Sequence, residues 1–209
     1  INIEQSADIT GWTTGTSLLE VSYGSQAIVT KNRVYLIGNP NNGNTYTAPI
    51  NADGTLGTWT TGTPLLGVVY YSQAVVTKNR VYLLGSYSNG NVMTAPINAD
   101  GTLGTWAYST AIPVNLGLSA AIITKNRLYM IGGTINGGYA GTALYTAPIN
   151  ADGTLGAWTS SSNLPGLIAF HSAVVTKNRV YIFGGMVGGA ITASFYSAPI
   201  NADGTLGTW

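Results

Sequence analysis

The chain has 209 residues but only eight basic and seven acidic side chains, one histidine and no cysteine. A net charge of +1 carried by so few groups cannot supply the many phosphate contacts that nucleic-acid affinity needs, and without cysteine there are no disulfides, thiolate metal sites or cysteine nucleophiles. With 45% apolar residues a packed core is expected; no apolar run approaches the roughly 20 residues of a membrane helix, and no basic-then-apolar leader opens the chain, so membrane insertion is not expected.

An internal repeat sets the register. Trp12, Trp59, Trp106, Trp158 and Trp209 stand 47, 47, 52 and 51 residues apart. They divide a single repeat domain, 1–209, into a partial unit at 1–12 and repeats at 12–58, 59–105, 106–157 and 158–209. In the partial unit, Ala7-Asp8-Ile9-Thr10-Gly11-Trp12 is a shortened version of the segment NADGTLGTW. That segment occupies 51–59 and recurs at 98–106, at 150–158 with Ala157 in place of Thr, and at 201–209. A second block, Thr-Lys-Asn-Arg, starts at Thr30, Thr77, Thr124 and Thr176.

Each repeat reads as four short strands. In the second, residues 72–77 and 80–85 are β-branched and aliphatic runs joined by Lys78-Asn79, which predicts a tight hairpin. A third run at 91–97 is separated from a fourth at 102–108 by Asn98-Ala99-Asp100-Gly101, a turn sequence. Val81 and Leu83 point to one face of the second strand, Tyr82 and Leu84 to the other, so both faces are expected to be covered by neighbouring sheets. The Pro of each TAPI or SAPI run removes a ladder donor and belongs at the end of the third strand.

Four-stranded units at this period are the signature of β-propeller blades. The run His171-Ser172-Ala173-Val174-Val175, then Arg179-Val180-Tyr181-Ile182-Phe183-Gly184-Gly185, then Tyr196 and Trp209, resembles the kelch repeat over nearly the whole chain. The resemblance implies an all-β fold: a β-propeller of four-stranded antiparallel blades, with four kelch-like repeats plus an N-terminal partial blade. Gly132-Gly133 and Gly184-Gly185 match the kelch glycine pair, while Gly38-Asn39 and Gly85-Ser86 depart from it, so the first two blades are expected to bend differently there. The NADGTLGTW turn also resembles the Asp box of sialidase-type propellers, one residue longer between Asp and Trp.

Such blades place the turns of strands one-to-two and three-to-four on one face. That face collects all eight basic residues, among them Arg33, Arg80, Arg127 and Arg179, together with Asp53, Asp100, Asp152 and Asp203. Either each Asp closes its own turn or pairs with a nearby cation, or the charges form a ring that binds an anion or partner; identical recurrence in every repeat favours the structural role. The opposite face carries apolar blade-to-blade connections at 17–23, 64–70, 112–118 and 164–170, and Gly-rich loops at 39–44, 86–91, 134–142 and 186–194. Variable loops on a repeated scaffold are where binding resides. The candidate ligand contacts are Tyr23, Tyr70, Tyr71, Tyr87, Asn89, Tyr139, Phe170 and His171, with Asn42, Asn44, Asn91 and Asn136 as hydrogen-bonding partners. Aromatic rings and amides suit sugars; packing in a central channel is the competing role for Tyr23, Tyr70 and Phe170.

Catalysis is not expected. Beyond the four turn aspartates only Glu4, Asp8 and Glu20 are acidic, and His171 stands alone where Ser25, Ser72 and Ser119 stand in the other repeats. No cofactor or metal is implied: the sialidase arginine cluster and the cysteine of kelch-type copper oxidases have no counterpart. The sequence therefore predicts a non-catalytic module, extracellular or on a cell or virion surface, that recognises a glycan or surface protein through one face. The alternative is a structural, protein-interaction propeller that self-associates, and an accessory domain of a glycosidase is a third possibility. Four repeats are fewer than kelch-like rings usually hold, which leaves a small closed ring, part of a longer propeller, or an array completed by a second copy.

Overall fold

A computed structural model describes residues 14–86, 89–136, 138, 142–161 and 164–209. Tyr87, Tyr139 and the partial unit at 1–12 lie outside the described residues. Among these residues every regular element is a strand, and all pairing is antiparallel.

The first repeat forms a four-stranded sheet in chain order, β1 (Gln26–Val29), β2 (Arg33–Ile37), β3 (Tyr46–Pro49) and β4 (Thr60–Thr61). The second does the same with β5 (Gln73–Val76), β6 (Arg80–Ser86), β7 (Asn89–Pro96) and β8 (Ala107–Tyr108). The third adds a small ribbon: β9 (Leu116–Gly117) pairs with β12 (Thr134–Ile135), while β10 (Ala120–Thr124), β11 (Arg127–Ile131), β13 (Leu144–Pro148) and β14 (Thr159–Ser160) make the sheet. In the fourth, β15 (Ile168–Ala169), β18 (Met186–Val187) and β19 (Ala190–Ile191) form the ribbon, and β16 (Ser172–Val175), β17 (Arg179–Phe183) and β20 (Phe195–Pro199) form the sheet. The connections and loops of repeats three and four, which the sequence presents as irregular, thus pair with each other.

Local chemistry explains the strand ends. Thr30, Thr77 and Thr176 donate their amides to the carbonyls of Arg33, Arg80 and Arg179, closing two-residue hairpins. Each proline ends the third strand opposite the arginine that begins the second, as in Arg33↔Pro49 and Arg179↔Pro199. Two glycines shape the turn that follows. Gly54, Gly101, Gly153 and Gly204 have φ between 81° and 83°, which a side chain resists. A Cβ at Gly57, Gly104, Gly156 or Gly207 would come within 2.7–2.8 Å of the proline ring that the chain folds back over.

The fourth strand departs from expectation. Residues 102–108 form only an isolated Ile97↔Leu103 bridge and the two-residue β8, and in every four-stranded sheet the fourth strand follows the tryptophan. Folding over the proline prevents the ladder from continuing through Leu103. In the last repeat β16, β17 and β20 make the sheet, and the turn that follows adds the isolated Ile200↔Leu206 bridge.

Apolar clusters join consecutive sheets. Tyr35 and Ile37 of β2 pack with Val81, Leu83, Leu103 and Trp106 of the second repeat. Tyr82 and Leu84 meet Leu128, Met130, Leu155 and Trp158; Tyr129 and Ile131 meet Val180, Ile182, Leu206 and, at the margin, Trp209. Burying each such side chain contributes about 1.5–3 kcal/mol. Hydrogen bonds repeat across these contacts: the hydroxyls of Tyr35, Tyr82 and Tyr129 donate to the carbonyls of Gly101, Gly153 and Gly204 at 3.4, 2.6 and 3.1 Å. Thr30 and Thr124 hydroxyls reach Gly101 and Gly204 at 2.7 and 2.6 Å, and the Lys31 and Lys125 ammonium groups reach the carbonyls of Ala99 and Ala202. The first hairpin of one sheet therefore grips the NADG turn of the next.

Candidate functional site

The charged turns are self-contained. Asp53 Oδ1 accepts hydrogen bonds from the amide and hydroxyl of Thr55 at 3.0 and 2.6 Å, and Asn51 donates to the same hydroxyl. Asp100, Asp152 and Asp203 repeat the arrangement with Thr102, Thr154 and Thr205. Hydrogen bonds from threonine hydroxyl and amide hold all four carboxyls below their ordinary value of 3.8. The arginines point into their own sheets: the Nε of Arg33, Arg80 and Arg127 donates to Thr47, Thr94 and Thr146, and Arg179 Nη2 donates to Ser197. Arg33, Arg80 and Arg127 act on Asp100, Asp152 and Asp203 only as the smallest of the influences lowering those carboxyls.

On the other side of each first strand lies a row of equivalent residues with unusual backbones. Tyr71, Leu118 and Phe170 have φ of 53°, 55° and 57°, and Gly24 has 63° at the matching position of the first repeat. A left-handed conformation costs a non-glycine residue about 1–2 kcal/mol. Neighbours in this row touch: the Phe170 amide donates to the Leu118 carbonyl at 3.0 Å, and the Tyr71 ring lies 3.8 Å from where a Gly24 Cβ would stand. Tyr71 and Phe170 are exposed, as are Tyr23, Tyr70, Leu19, Val21, Leu66 and Leu167 on the same connections. Tyr23, Tyr70 and Phe170 keep 55%, 41% and 58% of their surface accessible.

The amides are largely engaged within their own loops. Asn42 donates to Glu20 Oε2 at 2.5 Å and to the Tyr46 hydroxyl, Asn44 also donates to Tyr46, and the Asn89 side-chain oxygen accepts the Asn91 amide at 3.1 Å. Asn136 is itself left-handed, and its amide donates to Asn115. His171 is set apart from the exposed aromatics: it is buried one residue further along, pressed towards Gly132 and Gly185, with neither ring nitrogen hydrogen bonded. Burial pushes its imidazole from 6.5 down to about 4, so it is neutral at physiological pH. Leu118 completes the row with Tyr71 and Phe170 but carries no chemical signal of its own. Aligning the residue before Ser72, Ser119 and His171 is what would have found it.

Among the described residues no group of three or more His, Cys, Asp or Glu side chains is placed to hold a metal ion, and no helix is long and apolar enough to cross a membrane. No protein-family model matches the chain, and no curated protein matches it. Among solved structures, the chain is similar to YjhT, with a TM-score of 0.67 and 12% sequence identity over 84% of this chain and 62% of that one. The chain thus spans less than two thirds of the length of that structure. At this identity the likeness concerns the fold: an all-β chain of small antiparallel sheets.

Proposed function

We propose that this chain is a non-catalytic recognition module, a kelch-like β-propeller segment that binds carbohydrate or another cell-surface ligand through the face formed by its inter-sheet connections. The observation that carries this reading is the row Tyr71, Leu118 and Phe170. Three successive repeats hold a bulky side chain at a position where glycine would be less strained, and the two rings among them, Tyr71 and Phe170, face solvent. A contiguous exposed aromatic and aliphatic surface is characteristic of a binding site, and rings beside amides suit the apolar faces and hydroxyls of sugars. The chemistry available supports binding over catalysis: the four turn aspartates are tied to their own threonines, and His171 is a buried neutral imidazole.

A broad glycan array probed with the purified chain tests this reading, followed by titration of any hit against Tyr71→Ala and Phe170→Ala. Binding weakened about tenfold or more by either change, with the melting temperature retained, supports it. Silence across the array and against cell surfaces overturns it.

A further inference from the structure

At each of the three junctions between consecutive sheets, the same Thr-Lys-Asn-Arg hairpin faces the same Asn-Ala-Asp-Gly turn of the next repeat. At the first and third junctions a threonine hydroxyl and a lysine ammonium both cross the gap, to Gly101 and Ala99 in one and to Gly204 and Ala202 in the other. The second junction makes neither bond. There the Thr77 hydroxyl turns back on its own hairpin, donating to the Arg80 carbonyl at 3.0 Å and accepting the Arg80 amide at 3.1 Å. Lys78 makes no hydrogen bond among the described residues. Burial follows suit: Thr30, Gly101, Thr124 and Gly204 are buried, whereas Thr77 and Gly153 are half-buried.

The space left open is a cavity of about 150 Å³ between the hairpin 77–80, Tyr82 and the turn 149–153. Arg80 borders it. Its aliphatic stem lies against Gly153, where the other junctions place the hairpin asparagines, Asn32 against Gly101 and Asn126 against Gly204. Thr94 holds its Nε at 3.2 Å, and among the described residues no hydrogen bond engages its terminal nitrogens. Two cations therefore line the cavity against one carboxylate, Asp152, which is already turned to the amide and hydroxyl of Thr154 at 2.9 and 2.7 Å. On the facing wall stands Ala151, whose carbonyl is the counterpart of the acceptors of Lys31 and Lys125 and receives no donor across this junction. An occupant must accept hydrogen bonds from an ammonium and a guanidinium and donate one to a carbonyl.

We infer that this cavity binds a small oxyanion that also carries a hydroxyl, a hydroxycarboxylate or a protonated phosphate. The anionic oxygens lie between Lys78 and Arg80 and the hydroxyl donates to Ala151, so the ligand restores the link that the neighbouring lysines make directly. Acetate and sulfate lack the donor, and neutral sugars lack the charge. The site is thus separate in chemistry from the exposed row at Tyr71 and Phe170, which lies at the other end of the first strands.

Titration of the isotope-labelled full chain, followed by amide NMR at neutral pH and constant ionic strength, tests this with glycolate against acetate and inorganic phosphate against sulfate. The hairpins 30–33 and 124–127, closed by their own lysines, are internal controls. Saturable shifts are expected at 77–80 and 150–154 and not at those controls, with the hydroxyl-bearing member of a pair binding several-fold more tightly. Preference within the glycolate pair alone identifies a hydroxycarboxylate as the occupant, and within the phosphate pair alone a phosphate. Lys78 is exposed, so Lys78→Met retains the fold and weakens binding about fivefold or more, while Lys31→Met leaves it unchanged. Shifts that never saturate, equal shifts at all three hairpins, no preference within either pair, or affinity indifferent to Lys78→Met overturns the inference.

Discussion

His171 is a titratable side chain that burial moves far from its ordinary value. Its imidazole is buried without a hydrogen-bonding partner and held to about 4 against an ordinary 6.5. The unfolded chain takes up a proton as pH falls through 6.5 while the native form does not, so stability is complete above that value and declines down to about pH 4. Over that window the loss amounts to about 3 kcal/mol. Urea denaturation at successive pH values should show this decline, and His171→Ser, which installs the residue of the other repeats, should flatten it. The left-handed residues yield a second expectation. Phe170→Gly relieves backbone strain and raises stability by up to about 1 kcal/mol while removing the exposed ring, so thermal stability and ligand affinity should move in opposite directions. None of this strain is visible in the sequence, where aromatic residues at 71 and 170 give no hint of a conformation normally reserved for glycine.

At the level of elements, sequence pattern was a good guide where the backbone is governed by its neighbours in the chain. The Lys-Asn hairpins, the proline at the end of each third strand and the Asp-closed turns all follow from turn chemistry that is local. The fourth strands were misplaced because their position depends on how the turn folds back over the proline, a contact among residues 49, 57 and their counterparts that periodicity does not encode. The ribbons β9–β12 and β15–β18–β19 were missed for a related reason: their pairing joins a connection to a loop 17–19 residues away, and neither has a strand-like pattern alone. The turns permit a comparison. Gly54→Ala and Gly101→Ala impose the same φ near 83°, costing about 1 kcal/mol each, but only the second drives a methyl group into Asn32. In dilute solution Gly101→Ala should therefore be the more destabilising by about 1–3 kcal/mol, measured by chemical denaturation.

For the whole molecule, the sequence indicated that both faces of the second strand in the second repeat are covered, and β6 is buried on both sides, as is β11 of the third. Because each sheet contacts mainly its sequence neighbours, stability is expected to add junction by junction. Tyr129→Phe removes the hydrogen bond to Gly204 and should cost about 1 kcal/mol at one junction. Amide exchange should then quicken in β16, β17 and β20 and stay unchanged in β1 and β2.

The reuse of one junction bears on how such a chain can change its length. A 47-residue unit cut from Thr60 through Trp106 carries a gripping hairpin at its start and a matching turn at its end. Tandem duplication of that stretch would add a sheet together with both surfaces needed to seat it, so a gene encoding this protein can grow or shrink by whole repeats with no compensating substitution elsewhere.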